Sequence, residues 1–180
     1  MSAKSNVSLI GFMGSGKTSS GQELARLLKF DFLDSDQLIQ AESGLTVREI
    51  FERYGEEGFR DRERAQIGRI QSLRRTVWAT GGGAWLDPVL RESLQANSCT
   101  VWLKVSGAQV WKRVSAHLAQ RPLLAGAADP LAEIERRLAE RRALYALADY
   151  TVETDHKTPR EVAGEILGLI KRDGRLEPLD

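Results

Sequence analysis

The sequence predicts an α/β domain, a five-stranded parallel sheet flanked by helices. Three observations predict it. Short apolar runs alternate with stretches of helical periodicity along the whole chain. Three of the runs end in chemically loaded residues, at Gly11, at Asp34 and at Gly81–Gly83. Open parallel sheets hold their ligands at such strand ends. The length, 180 residues, suits one domain spanning 1–180.

Each element has its own warrant. Val7–Ile10 is the first strand and runs into a glycine-rich turn. Lys17–Leu28 carries Leu24, Ala25, Leu27 and Leu28 at helical spacing. Phe30–Leu33 is the second strand. Thr46 and Glu49 read as a capping box, each side chain serving the other's backbone N–H. The helix it opens carries Val47, Ile50, Phe51 and Tyr54 on one face, with Gly55 as its stop. A long polar helix follows, with Phe59, Ile67, Ile70 and Leu73 as its buried stripe. Thr76–Thr80 is the third strand, and Asp87-Pro88 caps the next helix with proline in its first turn. Thr100–Val105 is the fourth strand. Ala108–Leu118 reads as a helix, with His117 on its surface. Gln120–Pro130 is a loop of small residues and prolines, and Leu131–Leu147 is helical. Tyr150–Val152 is the fifth strand, and Thr158–Glu161 opens the last helix as a second capping box. A charged tail is expected to fray over about 172–180. Cys99, Trp78, Trp85, Trp102 and Trp111 are expected in or near the core.

Composition excludes several classes of function. Hydrophobic residues make up 42% and charged residues 28%, the balance of a soluble globular chain. A domain of this size buries ~70% of its unfolded surface and needs no disulfide or structural metal. Lys and Arg total 26 against 25 Asp and Glu, a net of +1, which argues against a nucleic-acid coat protein. No run approaches the ~18 apolar residues of a membrane span. The start, Met1–Asn6, is too short and polar for a signal peptide. A lone Cys99 excludes a disulfide framework and fits a reducing, cytoplasmic setting. Two histidines and one cysteine leave little for zinc, so a metal here takes oxygen ligands, which points to Mg²⁺.

The motif Gly11-x-x-x-x-Gly16-Lys17-Thr18 matches the phosphate-loop pattern without a defect. Its glycines let backbone N–H groups turn inward onto phosphate oxygens. The following helix adds its positive N-terminal end. Lys17 reaches the β- and γ-phosphates of a nucleotide, and the Thr18 hydroxyl takes a place on Mg²⁺. No Asn-Lys-x-Asp guanine motif is present, and the third strand ends in Thr80 instead of an acid. Those features leave a compact kinase acting on a small acceptor.

Such a kinase needs two anionic services, one beside the metal and one at the acceptor hydroxyl. Asp34-Ser35-Asp36, directly after the second strand, offers both. Alternate residues of an extended chain point opposite ways, so the two acids can divide the work. Asp36 can equally be the N-cap of the next helix. Gly81–Gly83 allows a ligand to approach backbone closely, which a plain tight turn seldom requires. Of the 26 basic residues, 19 are arginine, so candidates for binding an acceptor's carboxylate are too many. Arg60 has Glu63 one helical turn on to fix it and Phe59 beside it as an apolar wall. It also belongs to a basic stretch with Arg62, Arg64, Arg69, Arg74 and Arg75, which can be a solvated face. Arg141 competes with Arg136, Arg137 and Arg142, and only its spacing to Tyr145 selects it. Arg121-Pro122 lies in the loop best suited to move, where closure would keep water from the reaction. An incidental arginine on a surface loop is the other reading.

Taken in order, the phosphate loop, Asp34-x-Asp36, Gly58-Phe59-Arg60-x-x-Glu63, Gly81–Gly83, Arg121-Pro122-Leu123-Leu124 and Arg141-x-x-x-Tyr145 resemble shikimate kinase of the standalone bacterial type. The resemblance runs from about Val7 to Leu169. It implies the P-loop kinase fold of nucleoside monophosphate kinases with a mobile lid, here at about 119–130. It implies transfer of the γ-phosphoryl group of ATP to the 3-hydroxyl of shikimate, within aromatic amino acid biosynthesis. By similarity, Gly14, Ser15, Gly16, Lys17, Thr18 and Ser19 hold the ATP phosphates, and Thr18 binds the one Mg²⁺ ion. Asp34 resembles the acid that reaches Mg²⁺ through water. Asp36 resembles the residue that holds the shikimate hydroxyls and acts as base. Arg60 and Arg141 resemble the pair that clamps the shikimate carboxylate. Gly81, Gly82 and Gly83 resemble the backbone platform beneath it, and Arg121 the lid arginine that joins Lys17 on the phosphates. Arg113 and the loop His156–Pro159 are where adenine is expected. The resemblance carries the expectation of a cytoplasmic monomer with no nucleic-acid or membrane partner.

Two other readings fit the phosphate loop. A kinase resembling gluconate kinase would share loop and lid but would not require Arg60 and the triple glycine. A nucleotide-sensing switch would bind ATP without turnover and would need a large apolar partner surface.

Overall fold

The computed structural model describes residues 3–116, 124 and 127–177. Five strands form one parallel sheet: β1 (Asn6–Ile10), β2 (Asp31–Asp34), β3 (Thr76–Ala79), β4 (Ser98–Lys104) and β5 (Tyr150–Glu153), in the order β2-β3-β1-β4-β5. The helices are α1 (Lys17–Leu28), α2 (Ser35–Ser43), α3 (Val47–Gly68), α4 (Pro88–Asn97), α5 (Gly107–Val114), α6 (Pro130–Tyr145) and α7 (Pro159–Arg172). Among the described residues every strand and helix foreseen in the sequence is present, with ends shifted by one or a few residues; the end of the expected Ala108–Leu118 helix, residues 117 and 118, lies outside them.

Alternation along the strands sorts the core into two layers. Val7 and Leu9 of β1, Val77 of β3 and Val101 and Leu103 of β4 pack under α1 and α7, against Leu24, Leu28, Val162 and Ile166. Ile10, Trp78 and Trp102 point the other way, against Leu90 and Leu94 of α4, Tyr145 of α6, Ile67 of α3 and Trp85. Cys99, Trp78, Trp85 and Trp102 are buried, as their residue types suggested, and Trp111 is half-buried. Central strands β1 and β3 are buried on both faces, which is why they read as largely apolar runs with only Asn6, Ser8 and Thr76 as buried polar residues.

Local structure decides several of these readings. Asp36 is not an N-cap, the alternative its residue type allowed. Asp34 caps α2 instead, accepting from the backbone N–H groups of Asp36 and Gln37, so Asp36 sits on the first helical turn. The argument from alternating side chains therefore fails, because the extended chain ends at Asp34. Gly55 stops the first helical segment as expected, with φ 68 and ψ −175, and the long polar segment follows at once across that kink. Of the tail expected to fray, Arg175 and Glu177 make contacts, and residues 178–180 lie outside the described residues. Lys4 N–H donates to Arg175 O at 2.9 Å, Glu177 N–H donates to Lys4 O at 2.9 Å, and the Arg175 guanidinium pairs with Asp149 at 2.8 Å. Both capping boxes form as the sequence suggested, Thr46 with Glu49 and Thr158 with Glu161.

Among the described residues no helix is long and apolar enough to cross a membrane. The loops after β1, β2 and β3 leave the same edge of the sheet, and the candidate site lies there.

Candidate active site

The phosphate loop joins β1 to α1. Its shape depends on Gly11, where φ is 142° and a Cβ would lie 2.7 Å from Leu103 O of the neighbouring strand. No side chain caps α1, so its first N–H groups face the loop's hollow. Lys17 Nζ donates to the carbonyls of Gly11 at 2.9 Å and Phe12 at 2.8 Å, which folds the side chain back over the loop. The Ser15 hydroxyl oxygen is buried in the same hollow without a hydrogen-bond partner. A cradle of N–H groups, a lysine and a spare hydroxyl is chemistry suited to polyphosphate.

The Thr18 hydroxyl donates to Asp34 Oδ2 at 2.7 Å. Residues 16 apart in sequence, expected to share a metal, are thus side by side at the foot of the loop. Two hard oxygen donors beside a phosphate cradle fit Mg²⁺, which keeps several waters and takes few protein ligands. Asp34 is positioned by its other oxygen, which caps α2. Among the described residues no group of three or more His, Cys, Asp or Glu side chains gathers into an all-protein metal cage.

The glycine triplet organises the other half of the site. Gly81 N–H donates to the buried Ser35 Oγ at 2.7 Å, tying the β3 exit to the start of α2. A Cβ on Gly81 would stand 2.0 Å from Glu63 Oε1 and 2.9 Å from Asp36 Oδ1, so both carboxyl groups meet at this glycine. A Cβ on Gly83 would collide with the Arg60 guanidinium at 2.3 Å. Gly82 faces the phosphate loop, its virtual Cβ 3.4 Å from Met13 N. Its carbonyl accepts from Arg141 Nη1 at 3.2 Å and from the Tyr145 hydroxyl at 3.0 Å. Side chains from α2, α3 and α6 therefore converge on three consecutive glycines, directly opposite the phosphate loop.

This geometry separates the arginines. Arg60 Nη1 pairs with Glu63 Oε2 and its Nη2 with Glu56 Oε1 at 2.8 Å, and the guanidinium lies over the Phe59 ring at 5.6 Å. Its basic neighbours turn elsewhere: Arg62 stacks on Tyr54, Arg64 pairs with Asp61 and Asp87, and Arg69 pairs with Glu42. Arg141 is 8% exposed and lies 5.2 Å over the Phe12 ring of the phosphate loop. Arg136 and Arg137 pair with Glu133 on the helix surface, and Arg142 is exposed. Two guanidiniums thus flank the glycines beside Asp36, which is a planar, two-sided donor set for a carboxylate.

Glu63 is fully buried, 0% exposed. Burial pushes its carboxyl group up to about 7, against the pull of Arg60, and the neighbouring Asp36 and Glu56 carboxylates push the same way. Burial also holds the Tyr145 phenol above its ordinary value, so it remains a donor to Gly82.

Arg113 bridges the two loops at the far end of the phosphate site. It donates to Gly14 O at 2.8 Å and to Thr154 O at 3.0 Å. A cavity of about 220 Å³ opens between Arg113, Ser19, Lys157 and Pro159, and it is large enough for a purine ring. It coincides with the stretch expected to hold adenine. Arg121 and His117 lie outside the described residues, as does most of the expected lid. Of that lid Leu124 is buried, packed with Phe12, Val110 and Ile134.

Sequence reasoning missed Ser35, Phe12 and the Tyr145 hydroxyl as parts of the site. Ser35 carried a usable signal, since it stands between the two acids. Phe12 occupies an unrestricted position of the loop motif and carried none.

Known proteins decide the family. The shikimate kinase family model matches residues 13–171. The chain belongs to the shikimate kinase family. Shikimate kinase of Caldanaerobacter subterraneus subsp. tengcongensis is 41% identical over 171 residues, covering 94% of this chain and 99% of that one. Shikimate kinase of Moorella thermoacetica is 43% identical over 166 residues, covering 92% and 94%. Among solved structures, shikimate kinase from Acinetobacter baumannii in complex with shikimate superposes with a TM-score of 0.89 at 38% identity, covering 94% of both chains. The five-stranded parallel sheet with flanking helices is the fold that these shikimate kinases share.

Proposed function

We propose that the chain transfers the γ-phosphoryl group of ATP to the 3-hydroxyl of shikimate, giving shikimate 3-phosphate and ADP, a step in aromatic amino acid biosynthesis. One observation carries the reading: Arg60 and Arg141 converge on Gly81–Gly83 beside Asp36, facing the phosphate loop. A small hydroxylated anion held there presents a hydroxyl to Asp36 and to the phosphate cradle at once.

The residues divide the work as follows. Gly14, Ser15, Gly16 and Ser19 cradle the phosphates with backbone N–H and hydroxyl groups, and Lys17 neutralises charge as it spreads over the transferred oxygens. Thr18 and, through water, Asp34 hold one Mg²⁺. When bound, that ion screens the phosphate charges and fixes the geometry of the phosphate chain. Asp36 orients the acceptor hydroxyl and takes its proton as the new O–P bond forms and the bond to the ADP oxygen breaks. Arg60 and Arg141 hold the acceptor's carboxylate, and Gly82 lets it lie flat on backbone. Arg121 adds its charge from the lid when the lid closes and excludes water. Arg113 and Pro159 enclose adenine.

The enzyme works as a cytoplasmic monomer on small molecules, without nucleic-acid or membrane partners. A net charge of +1 supports the absence of a nucleic-acid partner.

The test is ADP release with Mg-ATP and a panel of shikimate, quinate, gluconate, nucleoside monophosphates and no acceptor. Release with shikimate alone is expected. Release with gluconate alone would overturn shikimate as the acceptor, release with a nucleoside monophosphate alone would overturn the carboxylate clamp, and tight ATP binding with no release would support a switch.

A further inference from the structure

Glu63 does more than brace Arg60. Its Oε2 accepts from Arg60, but its Oε1 is buried and has no hydrogen-bond partner. That oxygen and Asp36 Oδ1 lie within 2.0 and 2.9 Å of one point above Gly81, so two carboxyl oxygens, each buried, crowd one place. The charged groups facing Glu63 are Arg60 and Glu56 from its own helix and Asp36 from α2. From α6, Arg141 and Tyr145 meet at the carbonyl of Gly82, the next residue along. Two carboxyl groups, Glu56 and Glu63, thus already share the Arg60 guanidinium, and a third carboxyl, Asp36, crowds Glu63, before any substrate arrives. Shikimate brings a fourth. Like charges gathered at low dielectric are relieved most directly when one of them is neutralised.

We propose that Glu63 takes up a proton from solvent when the acceptor's carboxylate docks on Arg60 and Arg141. The clamp then exchanges one carboxylate for another at constant charge. The proton gives Oε1 a hydrogen to donate, and Asp36 is its neighbouring acceptor. Glu63 is the group placed to respond, because burial has already raised it to about 7 in the free protein. The sign follows. Below about pH 6, Glu63 is protonated in both states and shikimate affinity is flat. Above about pH 7, the free enzyme must first bind a proton, so affinity falls by up to ~10-fold per pH unit until the bound-state value is passed. A purely bracing Glu63 would give no such dependence.

The inference rests on shikimate being the acceptor, and calorimetry separates the two claims. Shikimate is titrated into the nucleotide-free enzyme at pH 7.5 in two buffers of different ionisation enthalpy. Half a proton or more taken up per shikimate is expected. Binding without proton uptake overturns this inference and leaves the substrate reading standing, whereas no binding overturns the substrate reading. The Glu63→Gln variant, with folding checked by its melting curve, should lose the uptake. It should bind shikimate more tightly than the wild type at pH 8.5 and about equally at pH 6. Weaker binding at both pH values, or uptake that persists in the variant, assigns Glu63 a structural role only. Should the variant fail to fold, the wild-type uptake and its pH profile decide the matter alone.

Discussion

The two halves of the site are built by opposite means. The proposed phosphate half is built mainly from one continuous loop, Gly11–Ser19, by its backbone N–H groups and motif side chains, with Asp34 beside Thr18 at its foot. The acceptor half is assembled from Asp36 on α2, Arg60 and Glu63 on α3, the glycines after β3, and Arg141 and Tyr145 on α6. Backbone cradles are set by local conformation, so they tolerate neighbours and change little. Side-chain clamps depend on how separate helices pack, so specificity can be retuned there without disturbing the nucleotide end. Gly82, whose virtual Cβ lies 3.4 Å from Met13 N, is the seam where the two halves meet.

Variants should respect that division, and any that cross it would break the comparison. The largest effect is expected for Lys17→Met, which removes charge from the transferred phosphoryl group and should lower turnover ~10³-fold. Asp36→Asn should lower turnover by ~10² or more while ATP affinity, measured by calorimetry, stays within about twofold. A collapse of ATP affinity with turnover spared would reverse the roles given to Asp34 and Asp36. Arg60→Ala and Arg141→Ala should each raise the KM for shikimate ~10- to 100-fold, the loss of one charge-assisted pair, with the KM for ATP unchanged. The smallest effect sharpens the boundary: Tyr145→Phe removes one hydrogen bond to the Gly82 carbonyl and should raise the shikimate KM by ~3- to 10-fold.

The same division explains what the sequence made legible. The phosphate loop was readable because a local motif encodes a local shape. The sheet was readable because strands buried on both faces are predominantly apolar, as Val7, Leu9 and Ile10 show. Asp36 was placed correctly at the strand exit, but its neighbour's role as N-cap was not, since either acid satisfies the cap by residue type. Glu63 and Phe59 favoured Arg60 and the Tyr145 spacing favoured Arg141, but their roles as a pair came only through family resemblance, and what brings them together is the approach of α3 and α6 to the glycines. Glu63 read as a brace for Arg60, and its place against Asp36 appears only when α2 and α3 are packed together. The tail's attachment to Lys4 was invisible for the same reason, because it joins opposite ends of the chain.

The central claim is that two arginines on separate helices recognise the acceptor by its carboxylate. The most direct test compares binding of shikimate and its uncharged methyl ester to the wild type and to the Arg60→Ala/Arg141→Ala double variant. The account predicts that the wild type binds shikimate ~30-fold or more tightly than the ester and that the double variant scarcely distinguishes them. Equal binding of acid and ester by the wild type, or full discrimination by the double variant, would contradict it.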